Sequence, residues 1–521
     1  MTITSSPNGT VAQVTTTDES TIIGLTLVCG DSPVSDHLGS MNADDDSWQI
    51  EVVEGLCDNS DRILDAVSDH PCNRLVLALC QDSYSKTVVR QRARRAGVGV
   101  FANLIVEIPA AGNESANKAV AITAVRSGMA RIGSQKESKP ENAKTSFASN
   151  SEKISRRALF TIPPIEYRVI PTVDKTLCMA GAGCSQCETA CPHDAIKNAA
   201  GNAIVDTNAC KSCGLCVTAC PQRAIEFPGY SPNEIEQHVS TILEYSDGIA
   251  ANVAFACEKS VTVPIDDWQI VPVACAAMVP ASALLGAITA GAGSVGILRC
   301  VEQCSQRSSD KVTGRTDYAR KVLENAGLDS SRIVDMAPAD TGVSLETPAA
   351  IAAIAVRQGS LEFFGTTAAA NSILGIESLS SGSVSPFVHP LAPVGIPVID
   401  QEACTMCGTC SLGCPTDALR QEDNDGQAVL TFDASKCVAC GECASNCPEA
   451  ENGAIRLELI TNVSALNTGA VELNVDGSVT CERCKANFTS TRTLKRLETL
   501  LGEDYSHELY GTHCPECRAF V

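Results

Sequence analysis

The same cysteine spacing occurs in two stretches of the chain, Cys210-Lys-Ser-Cys213-Gly-Leu-Cys216-Val-Thr-Ala-Cys220-Pro221 and Cys404-Thr-Met-Cys407-Gly-Thr-Cys410-Ser-Leu-Gly-Cys414-Pro415. A third run repeats it from Cys437 to Cys447, and a fourth run, from Cys178 to Cys191, has a longer first gap. Three thiolates on one short loop can bind three irons of a cubane, and the cysteine before proline reaches a second cluster. The spacing therefore predicts four [4Fe–4S] clusters in a chain that carries electrons.

The four runs form two pairs, in residues 166–232 and 393–462, and each pair resembles the bacterial ferredoxins that hold two [4Fe–4S] clusters. Each pair opens with an apolar strand and an acidic turn, and its first run closes with Cys-Pro-x-Asp-Ala. Only the gap after Cys178, five residues instead of the family's two, departs from the pattern, and we expect it to loop out with the ligand retained. The resemblance implies four ligand sets: Cys178, Cys184, Cys187 and Cys220; Cys210, Cys213, Cys216 and Cys191; Cys404, Cys407, Cys410 and Cys447; and Cys437, Cys440, Cys443 and Cys414.

Residues 233–392, between the two pairs, predict a small α/β domain with three cysteines at the carboxyl ends of strands, where such sheets gather their functional loops. The strings Val271–Cys275 and Gly296–Cys304, with the helix Tyr318–Gly327, resemble the delta subunit of methyl-viologen-reducing hydrogenase. That family carries a [2Fe–2S] cluster, and its usual histidine is replaced here by Val301. The resemblance implies one [2Fe–2S] cluster on Cys257, Cys275, Cys300 and Cys304. The alternative, from residue type alone, is that these cysteines are small buried hydrophobic side chains.

Residues 21–133 predict another small α/β domain, because strand-like and helical patterns alternate there. The segment His70-Pro-Cys-Asn-Arg-Leu-Val-Leu-Ala-Leu-Cys80-Gln-Asp-Ser resembles the first domain of the flavin-binding subunit of heterodisulfide reductase, in which cysteines hold an additional cluster. The family's paired cysteines at the first strand and its Cys-Ser-Trp segment are absent here. We therefore expect a docking domain, and the sequence leaves open whether a further cluster is bound by Cys29, Cys57, Cys80 and, as a candidate fourth ligand, Cys72.

The last segment, residues 463–521, contains Cys481-Glu-Arg-Cys484 and Cys514-Pro-Glu-Cys517. Two CxxC pairs brought together offer four thiolates in a tetrahedral array, as in structural zinc sites. The sequence predicts a zinc ribbon, with one Zn²⁺ on Cys481, Cys484, Cys514 and Cys517. Rubredoxin-type iron and a further iron–sulfur cluster are the alternatives.

Composition narrows the class of protein. The 521 residues include 28 cysteines, and cysteines at metal-ligand spacing indicate a reducing, cytoplasmic setting. The net charge of −22 disfavours binding of nucleic acid, which needs cationic contacts to phosphate. Residues 1–20 are polar and are predicted to be disordered, without the features of a signal peptide. Residues 134–165 are rich in Ser, Lys, Glu and Asn and predict a linker.

Two motifs point to functions that we reject. Gly291-Ala-Gly293-Ser-Val-Gly296 matches the dinucleotide fingerprint, but it follows a predicted helix and precedes a strand, the reverse of the order that phosphate binding requires. We expect neither NAD nor FAD in this chain. Ile270–Leu298 has no formal charge and is long enough to span a bilayer. Its prolines fit strand, helix and strand better, so no membrane span is expected, and any membrane association would arise through partners.

The sequence thus predicts an α/β and α+β multidomain protein with two ferredoxin-like modules, two small α/β domains and a C-terminal zinc ribbon. No catalytic constellation emerges, so the hypothesis is an electron-transfer subunit of a multi-subunit oxidoreductase. Its partners would be other redox subunits: a catalytic dehydrogenase or hydrogenase on one side, and a flavin, quinone or heterodisulfide-reductase-like partner on the other. The alternative hypothesis is a thiol–disulfide enzyme that uses the central cysteines.

Overall fold

The computed structural model describes residues 22–41, 47–80, 85–108, 118–136, 143–147, 165–246, 251–258, 268–300, 309–336, 361–380 and 384–519. The segment 1–20, predicted to be disordered, and Cys304 lie outside these residues. Within them, helices and strands are mixed throughout, which confirms the predicted combination of α/β and ferredoxin-type architecture.

The N-terminal domain is a four-stranded parallel sheet in the order β2-β1-β3-β4. Its strands alternate with helices because apolar runs such as Leu75–Leu79 are buried on both faces of the sheet. The elements are β1 (Gly24–Cys29), α1 (Ser35–Gly39), β2 (Trp48–Val53), α2 (Arg62–Asp69), β3 (Arg74–Leu79), α3 (Lys86–Arg95), β4 (Asn103–Glu107) and α4 (Lys118–Gly133).

Part of the segment predicted as a linker is a strand. β5 (Ala143–Phe147) pairs antiparallel with β6 (Ile165–Val169), which leads into the first ferredoxin-like module. Arg168 on β6 donates to the Cys210 carbonyl oxygen at 3.2 Å, so the pair lies against a cysteine loop.

The two ferredoxin-like modules share one order of elements: an outer strand pair encloses a β-hairpin and two short helices. In the first module, β7 (Thr172–Val173) pairs with β10 (Ile225–Glu226), and β8 (Ile196–Ala199) pairs with β9 (Asn202–Val205). Its helices are α5 (Gln186–Ala190) and α6 (Leu215–Ala219). The second module repeats the arrangement with β16 (Ile396–Ile399) and β19 (Ile455–Glu458), β17 (Leu419–Asn424) and β18 (Gln427–Asp433), α11 (Thr409–Leu412) and α12 (Glu442–Ser445).

The central domain is a second four-stranded parallel sheet, in the order β12-β11-β13-β14. The elements of this region are α7 (Pro232–Glu244), β11 (Asn252–Cys257), β12 (Trp268–Val273), α8 (Ala281–Thr289), β13 (Val295–Leu298), α9 (Ser309–Asn325), β14 (Ile333–Met336) and α10 (Ala368–Leu379). The uncharged stretch Ile270–Leu298 is strand, helix and strand, as predicted. Gly291 follows α8 and Gly296 lies in β13, which confirms the order that disfavours nucleotide binding. Among the described helices, none has the length and apolarity needed to cross a membrane.

The C-terminal tail is continuous with the second module. β21 (Ala470–Thr480) pairs with β18 of the module hairpin and with β22 (Asn487–Ser490), so that one antiparallel sheet runs β17-β18-β21-β22. The boundary predicted at residue 463 therefore falls between strands of a single sheet. The remaining elements are β15 (Phe387–Val388), which pairs with β20 (Ile460–Thr461), α13 (Val463–Thr468), α14 (Thr491–Leu501) and α15 (Pro515–Arg518).

Two large apolar cores organise these parts. One belongs to the N-terminal sheet, and the other runs from the first module through the central domain into the second module. α4 packs on α7 at the junction of the two cores, where the fully buried Arg131 donates to the carbonyl oxygens of Pro272 at 2.8 Å and Gly229 at 2.5 Å. The two modules and the central domain thus share a core to which the N-terminal domain is joined by buried hydrogen bonds.

Candidate metal centres

Left-handed backbone shapes three of the four cysteine loops. Ser212, Met406 and Ala439, each just before the second cysteine of its run, have φ values of 57°, 57° and 52°. The glycine that follows each of these cysteines is left-handed too, with φ between 72° and 78° at Gly214, Gly408 and Gly441. A side chain at positive φ is strained, so these loops hold a conformation that the surrounding structure imposes.

The loops bring the sixteen ferredoxin-type cysteines together as four sets. Within each set, neighbouring thiols raise the pKa of at least one member, and three of the sets each line one small apolar cavity. The sets are the Cys184 set (Cys178, Cys184, Cys187 and Cys220), the Cys213 set (Cys191, Cys210, Cys213 and Cys216), the Cys407 set (Cys404, Cys407, Cys410 and Cys447) and the Cys440 set (Cys414, Cys437, Cys440 and Cys443).

Backbone amides point at the sulfur atoms. After the Cys-Pro pairs, Asp194 and Arg223 are left-handed, and the next residues, Ala195 and Ala224, donate their N–H groups to Cys191 Sγ and Cys220 Sγ at 3.3 Å. Such bonds favour an anionic sulfur, and they are one means by which a protein tunes the potential of an iron–sulfur cluster.

Burial makes these thiols hard to ionise without a bound cation. It raises the pKa of Cys187, Cys410, Cys440 and Cys443 to about 12 each, and the charges of neighbouring thiols add to the increase. A positively charged group that binds thiolates would supply the missing compensation. The four sets therefore fit the group that their spacing predicts: they offer sulfur ligands only, N–H groups point at sulfur atoms, and three of the sets line an apolar cavity.

The two ferredoxin-like modules touch at their cysteine loops. Glu442 on α12 accepts hydrogen bonds from the backbone N and Oγ of Ser185, at 3.0 and 2.7 Å, and from Gln186 Nε2 at 3.1 Å. Gln186 Nε2 also lies 3.4 Å from the carbonyl oxygen of Cys440. Sequence reasoning missed Glu442, and no spacing motif marks it.

The central cysteines lie at the carboxyl edge of their sheet. Cys257 ends β11, Cys275 follows β12, and both are buried; Cys300 follows β13 and is half-buried. Cys304, the fourth ligand implied by the resemblance, falls outside the described residues. The Cys275 thiol is close enough to Cys213 to raise the pKa of that thiol, which burial brings to about 11.

Two cations on α9 face the same region. Arg315 is half-buried and donates to the carbonyl oxygen of Val279 at 3.0 Å, and Lys311 Nζ lies 3.5 Å from the Ala190 carbonyl oxygen. Burial lowers the pKa of Arg315 to about 10 and also lowers that of Lys311, whereas nearby thiols of Cys275 and Cys213 act in the opposite direction. Positive charge is thus placed between the central cysteines and the Cys213 set.

The tail cysteines Cys481, Cys484, Cys514 and Cys517 have their sulfur atoms all within 4.8 Å of one another. The sulfur atoms of Cys484 and Cys514 are 3.8 Å apart. Four thiolates bound to one zinc ion at about 2.3 Å in a tetrahedron are separated by about 3.8 Å. The set therefore fits a single metal ion.

The N-terminal domain contains the one other such group among the described residues: Cys29, Cys57 and Cys80. All three are buried, at 0%, 6% and 3% exposure. Cys72, the candidate fourth ligand, does not join them, because it lies just before β3 at the amino end of the sheet, whereas the three follow the carboxyl ends of strands.

Comparison with known families gives three matches. Residues 396–448 match the 4Fe-4S dicluster domain, and residues 203–226 match the 4Fe-4S binding domain. Residues 249–344 match the family described as methyl-viologen-reducing hydrogenase, delta subunit. No curated protein matches the chain. The chain is therefore a multidomain iron–sulfur protein with ferredoxin-type [4Fe–4S] domains and a segment similar to that hydrogenase family.

Proposed function

We propose that the protein is an electron-transfer subunit of a multi-subunit oxidoreductase, with its cysteine sets arranged as one continuous path. Iron–sulfur clusters bound to the sets would supply one-electron redox chemistry. The observation that carries this proposal is that each set lies near the next: thiols of adjacent sets act on one another electrostatically, and hydrogen bonds join the two modules.

The path begins at the central domain. Cys275 lies near Cys213, with Lys311 and Arg315 between the two regions. Within the first module, Cys187 adds to the raised pKa of the buried Cys216 thiol, so the Cys213 and Cys184 sets are neighbours.

The path continues across the module interface. The Cys184 set meets the Cys440 set through Ser185, Gln186 and Glu442. In the second module, Cys410 contributes to the raised pKa of Cys443, so the Cys440 and Cys407 sets are neighbours. Cys407 itself is exposed, which leaves this end open to a partner.

The ligand assignments belong to the same proposal. Each of the four sets would hold one [4Fe–4S] cluster, and Cys257, Cys275, Cys300 and Cys304 would hold one [2Fe–2S] cluster. Cys481, Cys484, Cys514 and Cys517 would hold one Zn²⁺, which fixes the tail against the Cys407 set. The tail contacts that set directly: Ser490 Oγ and Thr493 Oγ1 each donate to the Thr405 carbonyl oxygen at 2.9 Å.

The partners would be a catalytic dehydrogenase or hydrogenase and a flavin, quinone or heterodisulfide-reductase-like protein in the cytoplasm. The N-terminal domain would dock one of them. Support for a relay comes from the match of the central segment to a hydrogenase family and from the absence of any catalytic constellation in the sequence. Isolation of the native complex, with identification of its partner chains, tests this part. Recovery of the chain without any redox partner would contradict it.

Iron analysis tests the relay against the alternative of a thiol–disulfide enzyme. The chain is purified without oxygen, and iron and acid-labile sulfide are measured per chain. The relay predicts about 18 iron atoms, whereas free central thiols leave about 16. Replacement of Cys275 by Ser should remove about two irons, and Cys72→Ser, the matched control, should remove none. An equal iron content per chain in the wild type and in Cys275→Ser would favour the alternative, a thiol–disulfide enzyme.

A further inference from the structure

The N-terminal and central domains are two versions of one fold. In each, four parallel strands follow the order second, first, third, fourth. Cysteines also follow equivalent strands: Cys29 and Cys257 end the first strand, and Cys80 and Cys300 come after the third. Cys57 and Cys275 follow the second strand of their sheets. The carboxyl edge that carries the central cysteines thus has a counterpart in the N-terminal domain.

The carboxyl edges of the N-terminal and central sheets differ in the distances between their cysteine sulfur atoms. In the N-terminal domain, Cys80 Sγ is 3.3 Å from Cys29 Sγ and 3.7 Å from Cys57 Sγ. All three lie within 4.8 Å of one another, but Cys257, Cys275 and Cys300, which the structure also describes, form no such group. The sixteen described cysteines of the ferredoxin-type sets form no such compact group either. A cubane binds one cysteine at each iron, so the sulfur ligands of a cubane lie farther apart. The sulfur atoms of Cys29, Cys57 and Cys80 therefore lie too close together to bind an iron–sulfur cluster.

A carboxylate lies beside one of the three sulfur atoms. Asp31 Oδ2 lies 3.6 Å from Cys29 Sγ. In a tetrahedral zinc site with Zn–S near 2.3 Å and Zn–O near 2.1 Å, two sulfur ligands are about 3.8 Å apart, and a sulfur and an oxygen ligand are about 3.6 Å apart. The Cys57–Cys80 separation of 3.7 Å and the Asp31–Cys29 separation of 3.6 Å are close to these values, whereas Cys29 and Cys80, at 3.3 Å, would move slightly apart around an ion; the tail group shows a sulfur–sulfur distance of 3.8 Å.

We propose that Cys29, Cys57 and Cys80 bind a thiophilic divalent ion, with Zn²⁺ as the ion that fits best, and that the Asp31 carboxylate beside Cys29 turns in as the fourth ligand. The ion would join the loops after the first three strands of the N-terminal sheet, because one ligand or more comes from each loop. Binding would release the thiol protons to solvent, and no electron transfer is involved. The site thus corresponds in position to the cysteines of the central domain, but it would stabilise the fold and would not transfer electrons.

Metal analysis of the full chain tests the proposal. Wild type, Cys29→Ser, Cys29→Ser/Cys80→Ser and the control Cys72→Ser are purified without oxygen, and zinc, iron and sulfide are measured per chain. The two variants that lack Cys29 should hold about one ion fewer than wild type and Cys72→Ser, with sulfide unchanged. If these variants instead held one iron atom fewer per chain, with sulfide unchanged, the site would be supported with iron as the bound ion. Unchanged metal, or loss of iron together with sulfide, would overturn it.

A second variant keeps the test decisive if the N-terminal substitutions prevent folding. Cys481→Ser/Cys484→Ser removes two tail ligands and leaves the N-terminal domain intact. Native mass spectrometry of this variant should still find one ion beyond the iron–sulfur clusters. Finding none would show that Cys29, Cys57 and Cys80 are metal-free thiols.

Discussion

At the residue scale, Glu442 is the charged group best placed to influence two cysteine sets at once. It is 6% exposed, accepts three hydrogen bonds from Ser185 and Gln186, and receives a fourth from Asn446 Nδ2 at 3.3 Å. The carboxyl group of Glu442 therefore lies, with four hydrogen-bond donors around it, where the two ferredoxin-like modules meet.

We predict that Glu442→Gln raises the reduction potential of the centre at the Cys184 set. Reduction adds a negative charge, so a nearby carboxylate opposes it, and neutralising the carboxylate should raise the potential by roughly 50 mV. Redox titration monitored by electron paramagnetic resonance measures the change. Glu451→Gln, an exposed carboxylate of the same module, is the control. An equal shift in both variants would mean that Glu442 acts only through net charge.

Glu234 on α7 gives the stability of the protein a dependence on pH. The side chain is 1% exposed, its Oε1 accepts from the Gly229 amide at 3.2 Å, and its buried Oε2 has no hydrogen-bond partner in the described part of the chain. Burial raises its pKa to about 7, although the charge of Arg131 opposes the increase. Since a glutamate in the unfolded chain has a pKa near 4.3, the folded state binds the proton more tightly between these values.

Glu234→Gln should therefore stabilise the protein at pH 8 and have little effect near pH 5. The wild-type protein loses stability as the pH rises from about 4.3 through 7, by up to about 4 kcal/mol, because the unfolded chain gives up this proton while the buried carboxyl group keeps it. Urea unfolding between pH 5.5 and 8.5 measures the difference between variant and wild type. Glu244→Gln, exposed on the same helix, should show no such trend. A constant difference across the range would contradict the prediction.

The ligand cysteines could be found in the sequence because each loop is local: three of the four residues in a ferredoxin-type set fall within one short run. Glu442 could not, because its partner Ser185 is 257 residues away and only packing brings them together. Asp31 is local to Cys29, but a single acidic residue after a strand forms no motif, and its position beside the sulfur atom depends on the turn after β1.

At the element scale, the tail has little to hold it besides its cysteines. α14 has no buried residue, and its contacts to the second module are polar, such as Arg496 to Glu449 at 2.7 Å. β21 is different, because it pairs with β18 along most of its length. The tail therefore consists of a strand fixed by the sheet and a cysteine-containing part fixed by ligand geometry.

We predict that loss of the tail metal unfolds α14 and α15 and spares β21. Binding of a structural metal contributes on the order of 10 kcal/mol, more than the polar contacts of α14 can replace. Hydrogen exchange of Cys481→Ser/Cys484→Ser against wild type measures this, with Cys72→Ser as the control. Amides of α14 and α15 should lose most of their protection, while those of β21 keep it. Retained protection in α14 would show that its contacts suffice without metal.

Apolar and alternating patterns predicted most strands of both parallel sheets, since their cores are formed by consecutive βα units, but they missed β2, which is only partly buried. They did not predict that the tail extends the hairpin of the second module. β21 follows β19, β20 and a short helix, and it pairs with β18, from which the last cysteine run and these elements separate it, so no local sequence signal marks the pairing. β5 was missed because a polar five-residue segment resembles a linker until its partner β6 is known.

At the scale of the whole molecule, the order of the cysteine sets in space differs from their order along the chain. Along the chain, the central domain separates the two ferredoxin-like modules. In space the modules meet at Ser185 and Glu442, and the central cysteines lie at one end, beside Cys213. The order of the cysteine sets in space depends on the core that the two modules share with the central domain. No local sequence pattern predicts this order.

This spatial order can be tested without knowing the partners. Paramagnetic centres that are neighbours broaden each other's resonance signals in the reduced protein. Cys437→Ala/Cys440→Ala removes an internal centre, so the signals assigned to the Cys184 and Cys407 sets should both become narrower. Cys404→Ala/Cys407→Ala removes the terminal centre and should narrow the Cys440 signal while leaving the Cys184 signal unchanged. If both variants alter the Cys184 signal equally, the Cys407 set is not the end of the path and the proposed succession of sets is wrong.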